Sequence, residues 1–128
     1  MTHEEYNRLT DNIISTSIKV HKRLGPGLLE PIYRKALAYE LRKIGLKAEE
    51  EVPFRCIYDG MDLGLAFRAD IMVEDTIVVE LKSTEENHPI YYKQLTSYLK
   101  VADKRLGLLI NFGYCVVSNS IKRIVNNF

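Results

Sequence analysis

Phe67-Arg68-Ala69-Asp70-Ile71-Met72-Val73-Glu74-Asp75-Thr76-Ile77-Val78-Val79-Glu80-Leu81-Lys82 reads as two strands joined by a hairpin. Its register follows from the side chains, because a slip of one residue turns every side chain to the other face of the sheet. A two-residue turn at Glu74-Asp75 sets Asp70 beside Val79 and Ile71 beside Val78, mixing polar and apolar groups on both faces. A three-residue turn, Glu74 to Thr76, pairs Val73 with Ile77, Ile71 with Val79 and Ala69 with Leu81, which makes one face wholly apolar. Hairpin loops of three residues are common. The other face then carries Met72 with Val78, Asp70 with Glu80 and Arg68 with Lys82. Hydrophobic matching therefore predicts two carboxylates side by side.

Like charges directly opposite one another destabilise a sheet, so something must offset them. Carboxylate oxygens suit Mg²⁺ or Mn²⁺, and Mg²⁺ commonly takes one or two protein carboxylates plus waters and a substrate phosphate. Lys82, two residues beyond Glu80 on the same strand face, would reach the same spot. Paired carboxylates, a divalent ion and a lysine are the composition of a site that hydrolyses phosphodiesters. The alternative for Glu80 is a buried salt bridge with Lys82, which would leave Asp70 without a partner.

On the N-terminal side, Tyr6, Leu9, Ile13, Val20 and Leu24 recur at helical spacing and predict a helix from about Glu4 to Leu24. Gly25-Pro26-Gly27 ends it. A second helix runs from the turn fixed by Pro31 to Ile44, with Gly45 as its C-terminal cap. Val52, Phe54, Cys56 and Tyr58 then alternate with other residues as a strand, and Asp59-Gly60 turns the chain into a return strand from about Leu63 to Val73. Ile77 to Lys82 is apolar enough to be central. Beyond it come a helix opened by Pro89 and running to Ala102, a strand Leu106 to Phe112, and one or two short strands between Tyr114 and Val125. The fold class is α/β (α+β), a mixed central β-sheet flanked by helices on both faces, in the order helix, helix, strand, strand, strand, helix, strand.

The 128 residues, 46% hydrophobic and 27% charged, fit one domain spanning 1–128, large enough to bury about two-thirds of its unfolded surface without disulfides. Cys56 and Cys115 are expected to be reduced and buried, which with the polar first residues suggests a cytoplasmic protein. No apolar run approaches the roughly 20 residues of a membrane span. Eighteen Lys and Arg against 17 Asp and Glu leave a net charge of +1, which excludes a polybasic coat but allows a local patch. Lys22 and Arg23, with Arg34 and Lys35 after the Gly-Pro-Gly turn, flank Glu30 and are candidates for contacts to nucleic-acid phosphates. No zinc-ligand spacing or aromatic RNA-binding motif is present, so sequence-specific recognition is not expected. His21 and His88 have no ligand partner in the sequence, and His3 is expected in a mobile end.

Asp70 followed by Glu80-Leu81-Lys82 resembles the D…ExK signature of the PD-(D/E)XK nuclease superfamily, and Gly27-Leu28-Leu29-Glu30-Pro31-Ile32-Tyr33 resembles the GxxExxY element of the GxxExxY protein family, a branch of that superfamily. The similarity continues through AYELRKIGL (Ala38 to Leu46), FRADIMV (Phe67 to Val73), VVELKS (Val78 to Ser83), QLTSYLK (Gln94 to Lys100) and GLLINFG (Gly107 to Gly113), and so covers nearly the whole chain. It departs at Tyr91-Tyr92, where family members often carry a His-Glu pair. The resemblance implies a restriction-endonuclease-like core. It implies Asp70, Glu80 and Glu30 as ligands of Mg²⁺ (or Mn²⁺), Lys82 as the catalytic lysine, and Gln94 as a supporting polar residue.

Each of these residues has a plainer role open to it. Glu30 complements a helix dipole wherever it begins a helix. Gln94 lies at helical spacing from Tyr91 and Tyr98, so it could simply hydrogen-bond a strand end, and tyrosines at such spacing are core or rim residues by default. The function expected from the sequence is metal-dependent hydrolysis of DNA or RNA. The alternative is a non-catalytic nucleic-acid-binding or protein-interaction module on the same fold. A homo-oligomer is left open, and no membrane partner is expected.

Overall fold

A computed structural model describes residues 1–128. Helix α1, His3–Leu24, starts from a capping box in which the Thr2 hydroxyl accepts from the Glu5 N–H and the Glu5 carboxylate accepts from the Thr2 N–H. His3 is not in a mobile end. Its ring stacks on Phe128 at 4.2 Å between centroids, and its Nε2 lies 2.9 Å from the Phe128 carbonyl oxygen, so the two ends of the described chain hold each other. Helix α2, Glu30–Lys43, carries Pro31 in its first turn. It closes with Gly45 at φ +87°: the Gly45 N–H bonds the Arg42 carbonyl and the Leu46 N–H bonds the Leu41 carbonyl. That pair is a Schellman motif, which favours a glycine at its left-handed position.

Strands β1, Ala48–Tyr58, and β2, Met61–Val73, form a long hairpin. Asp59 and Gly60 at its tip both have positive φ, 52° and 78°, the geometry of a two-residue turn that follows strand twist. Strand β3, Ile77–Lys82, helix α3, Pro89–Ala102, and strand β4, Leu106–Asn111, follow. The end of the chain forms a 3₁₀ turn, Val117–Asn119, and one strand, β5, Lys122–Val125. The sheet order is β1-β2-β3-β4-β5, antiparallel throughout except for β3 beside β4. β3 is thus central, as its unbroken apolar run predicts, and α3 serves as the crossover that a parallel pair needs.

Helices cover both faces. On one, Ile13 of α1 and Tyr33, Leu37 and Leu41 of α2 pack with Ile71, Val79, Leu81, Ile110 and Phe112. On the other, Leu95 and Leu99 of α3 pack with Met72, Val78 and Leu109. The hairpin register is the expected one, with Val73 opposite Ile77, Met72 opposite Val78 and Ile71 opposite Val79. The ladder stops there. Ala69 does not join Leu81 on the α1–α2 face: it groups with Phe67, whose ring stacks on Tyr98 of α3 at 4.0 Å between centroids. Arg68 is exposed and not paired with Lys82.

The cause lies one strand away. In β1, Ala48 and Glu50 face α2, whereas Val52 and Phe54 face α3, although all four share one parity. Between them Glu51 takes φ 51°, a left-handed conformation uncommon outside glycine, asparagine and aspartate. By count Glu51 stands opposite Asp70 in the β1–β2 ladder, so both strands turn over at the same level. Cys56 is half-buried and Cys115 exposed, rather than both buried as expected, and both are free thiols. No helix is long and apolar enough to cross a membrane.

Candidate active site

Asp70 sits where β2 turns over. Its Oδ2 accepts the Leu81 N–H at 2.7 Å, so a side chain ties β2 to β3 where the backbone ladder has ended. The carboxylate is thereby drawn toward β3. Glu80 lies in the middle of that strand and is 9% exposed. It is flanked by strands on either side, and its Oε1 is buried without a hydrogen-bond partner. An orphaned buried carboxyl oxygen is costly.

Glu30 arrives from the other end of the fold, and the Gly27–Tyr33 element explains how. The Tyr33 hydroxyl donates to the Gly25 carbonyl and accepts from the Leu28 N–H, while its ring stacks on Phe112 at 4.5 Å. Gly27, at φ +96°, gives the loop its turn. Ser83, the residue after Lys82, donates its hydroxyl to the Leu28 carbonyl and pins the same loop to the end of β3. Glu30 then opens α2, where its charge suits the helix dipole. The tyrosine of the motif is therefore a core residue that aims the glutamate.

Burial and mutual repulsion dominate the electrostatics. Glu80 is pushed up to about 9, by burial first and then by the neighbouring Asp70 carboxylate, with Lys82 opposing. Glu30 is pushed up to about 7 by burial, then by the charge of Asp70 and hydrogen bonding to it. Burial also raises Asp70, against the Leu81 N–H and the Glu30 hydrogen bond, which lower it. Tyr98 feels the same cluster: burial raises it, followed by the charges of Glu80 and Asp70. Three carboxyl groups from α2, β2 and β3 thus act on one another, and burial raises all three.

Lys82 closes β3. It makes no ion pair with any carboxylate, which removes the simple salt-bridge explanation for Glu80. Its Nζ instead lies over the ring of Tyr91, 4.5 Å from the centroid. By helical spacing alone Tyr91 and Tyr98 read only as core or rim residues. The available signal was their i, i+7 spacing on the helix that covers an acid-bearing strand.

As placed, no three His, Cys, Asp or Glu side chains are grouped closely enough to hold a metal ion. The donor chemistry nonetheless fits a hard divalent cation: all-oxygen donors, one of them the partnerless Glu80 Oε1. None of the four concave pockets is lined by these residues, so the cluster is not an enclosed small-molecule cavity.

The remaining candidates are not drawn in. Gln94 is exposed on α3, and its side chain makes no hydrogen bond to a strand end or elsewhere. Of the basic group, Arg34 has its guanidinium against Glu50 and Glu51, at 3.2 and 3.5 Å, with 13% of its side chain exposed. Arg23 lies 3.9 Å from Glu40. Lys22 and Lys35 are exposed and free of ion pairs. The acidic runs that supply these partners, Glu49–Glu51 and Glu40, come close only through the fold.

Comparison with curated proteins and comparison with solved structures gave no match. A family model, that of the PD-(D/E)XK nuclease superfamily, matches residues 7–124. That span runs from α1 to β5 and includes all four converging residues, and the mixed five-stranded sheet with helices on both faces is the restriction-endonuclease-like architecture. The chain belongs to the PD-(D/E)XK nuclease superfamily.

Proposed function

We propose that this protein is a metal-dependent nuclease of the GxxExxY branch, hydrolysing phosphodiester bonds of DNA or RNA. The observation that carries the reading is the buried, partnerless Glu80 Oε1 on a strand that Asp70 ties to β2 through the Leu81 N–H, with Lys82 on the same strand and Glu30 two residues beyond the Leu28 carbonyl that Ser83 pins to its end, in a chain of the PD-(D/E)XK nuclease superfamily. In this reading Asp70, Glu80 and Glu30 hold Mg²⁺ or Mn²⁺. The cation supplies positive charge to the scissile phosphate and lowers the pKa of a water. Lys82 orients the attacking water or neutralises a non-bridging phosphate oxygen. Gln94, exposed on the helix that borders the site, and the free ammonium groups of Lys22 and Lys35 are left to meet the polymer.

The test is strand cleavage of single- and double-stranded DNA and RNA with Mg²⁺ or Mn²⁺, comparing the wild-type chain with Asp70→Ala. Wild-type cleavage that a chelator stops, lost by about a hundredfold or more in the variant, is expected. Absence of metal-dependent cleavage, or an Asp70→Ala variant that cuts at the wild-type rate, overturns the reading. A second reading, a protein-interaction module on the same fold, is favoured by apolar side chains around Glu30: Leu29 is 76% exposed and Ile32 45%. Absence of cleavage together with intact folding would select it.

A further inference from the structure

We infer that Tyr91 is a positioning residue for Lys82, holding its ammonium over the aromatic face, clear of the carboxylates and on the side from which a phosphate would approach. This rests on the nuclease reading for its purpose, though not for its geometry. A lysine at the end of a strand that carries Glu80, with Asp70 and Glu30 close by, would be expected to fold back onto an acid. Here it does not: no carboxylate oxygen lies within ion-pair distance of Nζ, which instead sits over the Tyr91 ring, 4.5 Å from the centroid.

The ring is itself held in place by the fold. Tyr91 is half-buried in the first turn of α3, packed against the apolar cluster beneath that helix, so its face is fixed. Helix α3 is itself fixed at that end by Pro89 and by the His88 ring nitrogen, which accepts the Ile90 N–H at 3.2 Å. A neutral ring attracts a cation without binding metal and without competing for its ligands. It can therefore hold the lysine in place when a divalent ion adds positive charge next to it, where a carboxylate partner would be drawn away to the metal.

The experiment uses the full chain with ¹³C-labelled lysine, in three forms: wild type, Tyr91→Phe and Tyr91→Leu. Without metal, the Lys82 ε-methylene protons should be displaced upfield by the ring in wild type and Tyr91→Phe and should lose that displacement in Tyr91→Leu. The same spectra report whether each variant is folded, and Tyr91→Met replaces Tyr91→Leu should that one not fold. In cleavage assays Tyr91→Leu should lower kcat by about two- to thirtyfold with KM and metal affinity unchanged, and Tyr91→Phe should restore kcat.

An unchanged Lys82 shift in Tyr91→Leu overturns the inference. So does a Tyr91→Phe variant as impaired as Tyr91→Leu, since the hydroxyl and not the ring would then be responsible. A lost shift with unaltered kcat overturns the positioning role. If the wild-type chain cleaves nothing, the nuclease reading fails, while the lysine spectra still decide whether the ring holds the ammonium.

Discussion

Glu80 is the residue at which structure and chemistry conflict most. A glutamate in a central strand must either be ionised without water or take up a proton, and burial beside Asp70 drives it toward the proton. The unfolded chain ionises this group near its ordinary value of 4.5. Between that value and about 9 the folded protein therefore binds the extra proton, and stability falls as pH rises through the window. Glu80→Gln removes the linkage. In the metal-free protein the variant should match wild type near pH 4.5 and exceed it at pH 7 by on the order of a few kcal/mol, with weakened Mg²⁺ binding. Urea titrations at the two pH values measure the difference; equal stability at both would mean that Glu80 is ionised and compensated in the fold. Asp70 differs because it does a structural job as well. Asp70→Ala strands the buried Leu81 N–H and should cost about 1 to 3 kcal/mol. Asp70→Asn keeps an acceptor there and should cost less, so the pair of variants separates support of β3 from any effect on cleavage.

The elements around these residues hold them in place through groups that sequence periodicity does not reveal. Asn111, fully buried at the end of β4, accepts the Thr84 and Gly113 N–H groups on Oδ1 and donates from Nδ2 to Thr84 and Asn87. It thereby anchors the segment that leaves Lys82 for α3. Asn111→Ala leaves two backbone N–H groups unpaired and should destabilise by about 2 to 4 kcal/mol in urea unfolding. It should also raise hydrogen exchange between Ser83 and His88. Where apolar residues alternate, the sequence carried the information: the Glu74–Thr76 turn and the order of β3, α3 and β4 follow from Ile71, Val79 and their neighbours. Where they do not alternate, it was silent. Glu49–Glu51 is uniformly acidic, so nothing marks the left-handed Glu51 or the reversal of faces that takes Ala69 to α3. Arg34 reads as a surface cation until the fold brings Glu50 and Glu51 beside it, 16 and 17 positions along the chain. His3 meets Phe128 across 125 positions, a separation that no local pattern can span. The convergence of Asp70, Glu80 and Lys82 was legible because one hairpin contains all three. Glu30 was placed only by resemblance, since its position depends on Tyr33 and Ser83 holding a loop from elsewhere in the chain.

For the molecule as a whole, the proposed metal site would set protons and a divalent cation in competition for one set of oxygens, and stability should respond to conditions accordingly. Glu30 at about 7 and Glu80 at about 9 are both raised above the ordinary value of 4.5. Their contributions have the same sign: each favours the folded state most at low pH and is lost as pH climbs toward the folded value. Glu30 is only partly buried, so solvent screening makes its share the smaller. The metal-free protein should accordingly lose thermal stability from pH 5 to pH 9, apart from any acid unfolding that begins below pH 5. A cation bound by ionised carboxylates must displace those protons, so saturating Mn²⁺ or Mg²⁺ should stabilise more at pH 8 than at pH 5 and flatten the profile. Melting curves across that range, with and without metal, show whether the slopes differ. Titration calorimetry at pH 7 in two buffers of different ionisation enthalpy should then find about one to two protons released per metal bound, because both glutamates begin at least half protonated there. In Glu80→Gln the release should drop by about one proton. Parallel melting profiles with and without metal, or calorimetric heats independent of buffer, would place any bound cation away from Glu30 and Glu80.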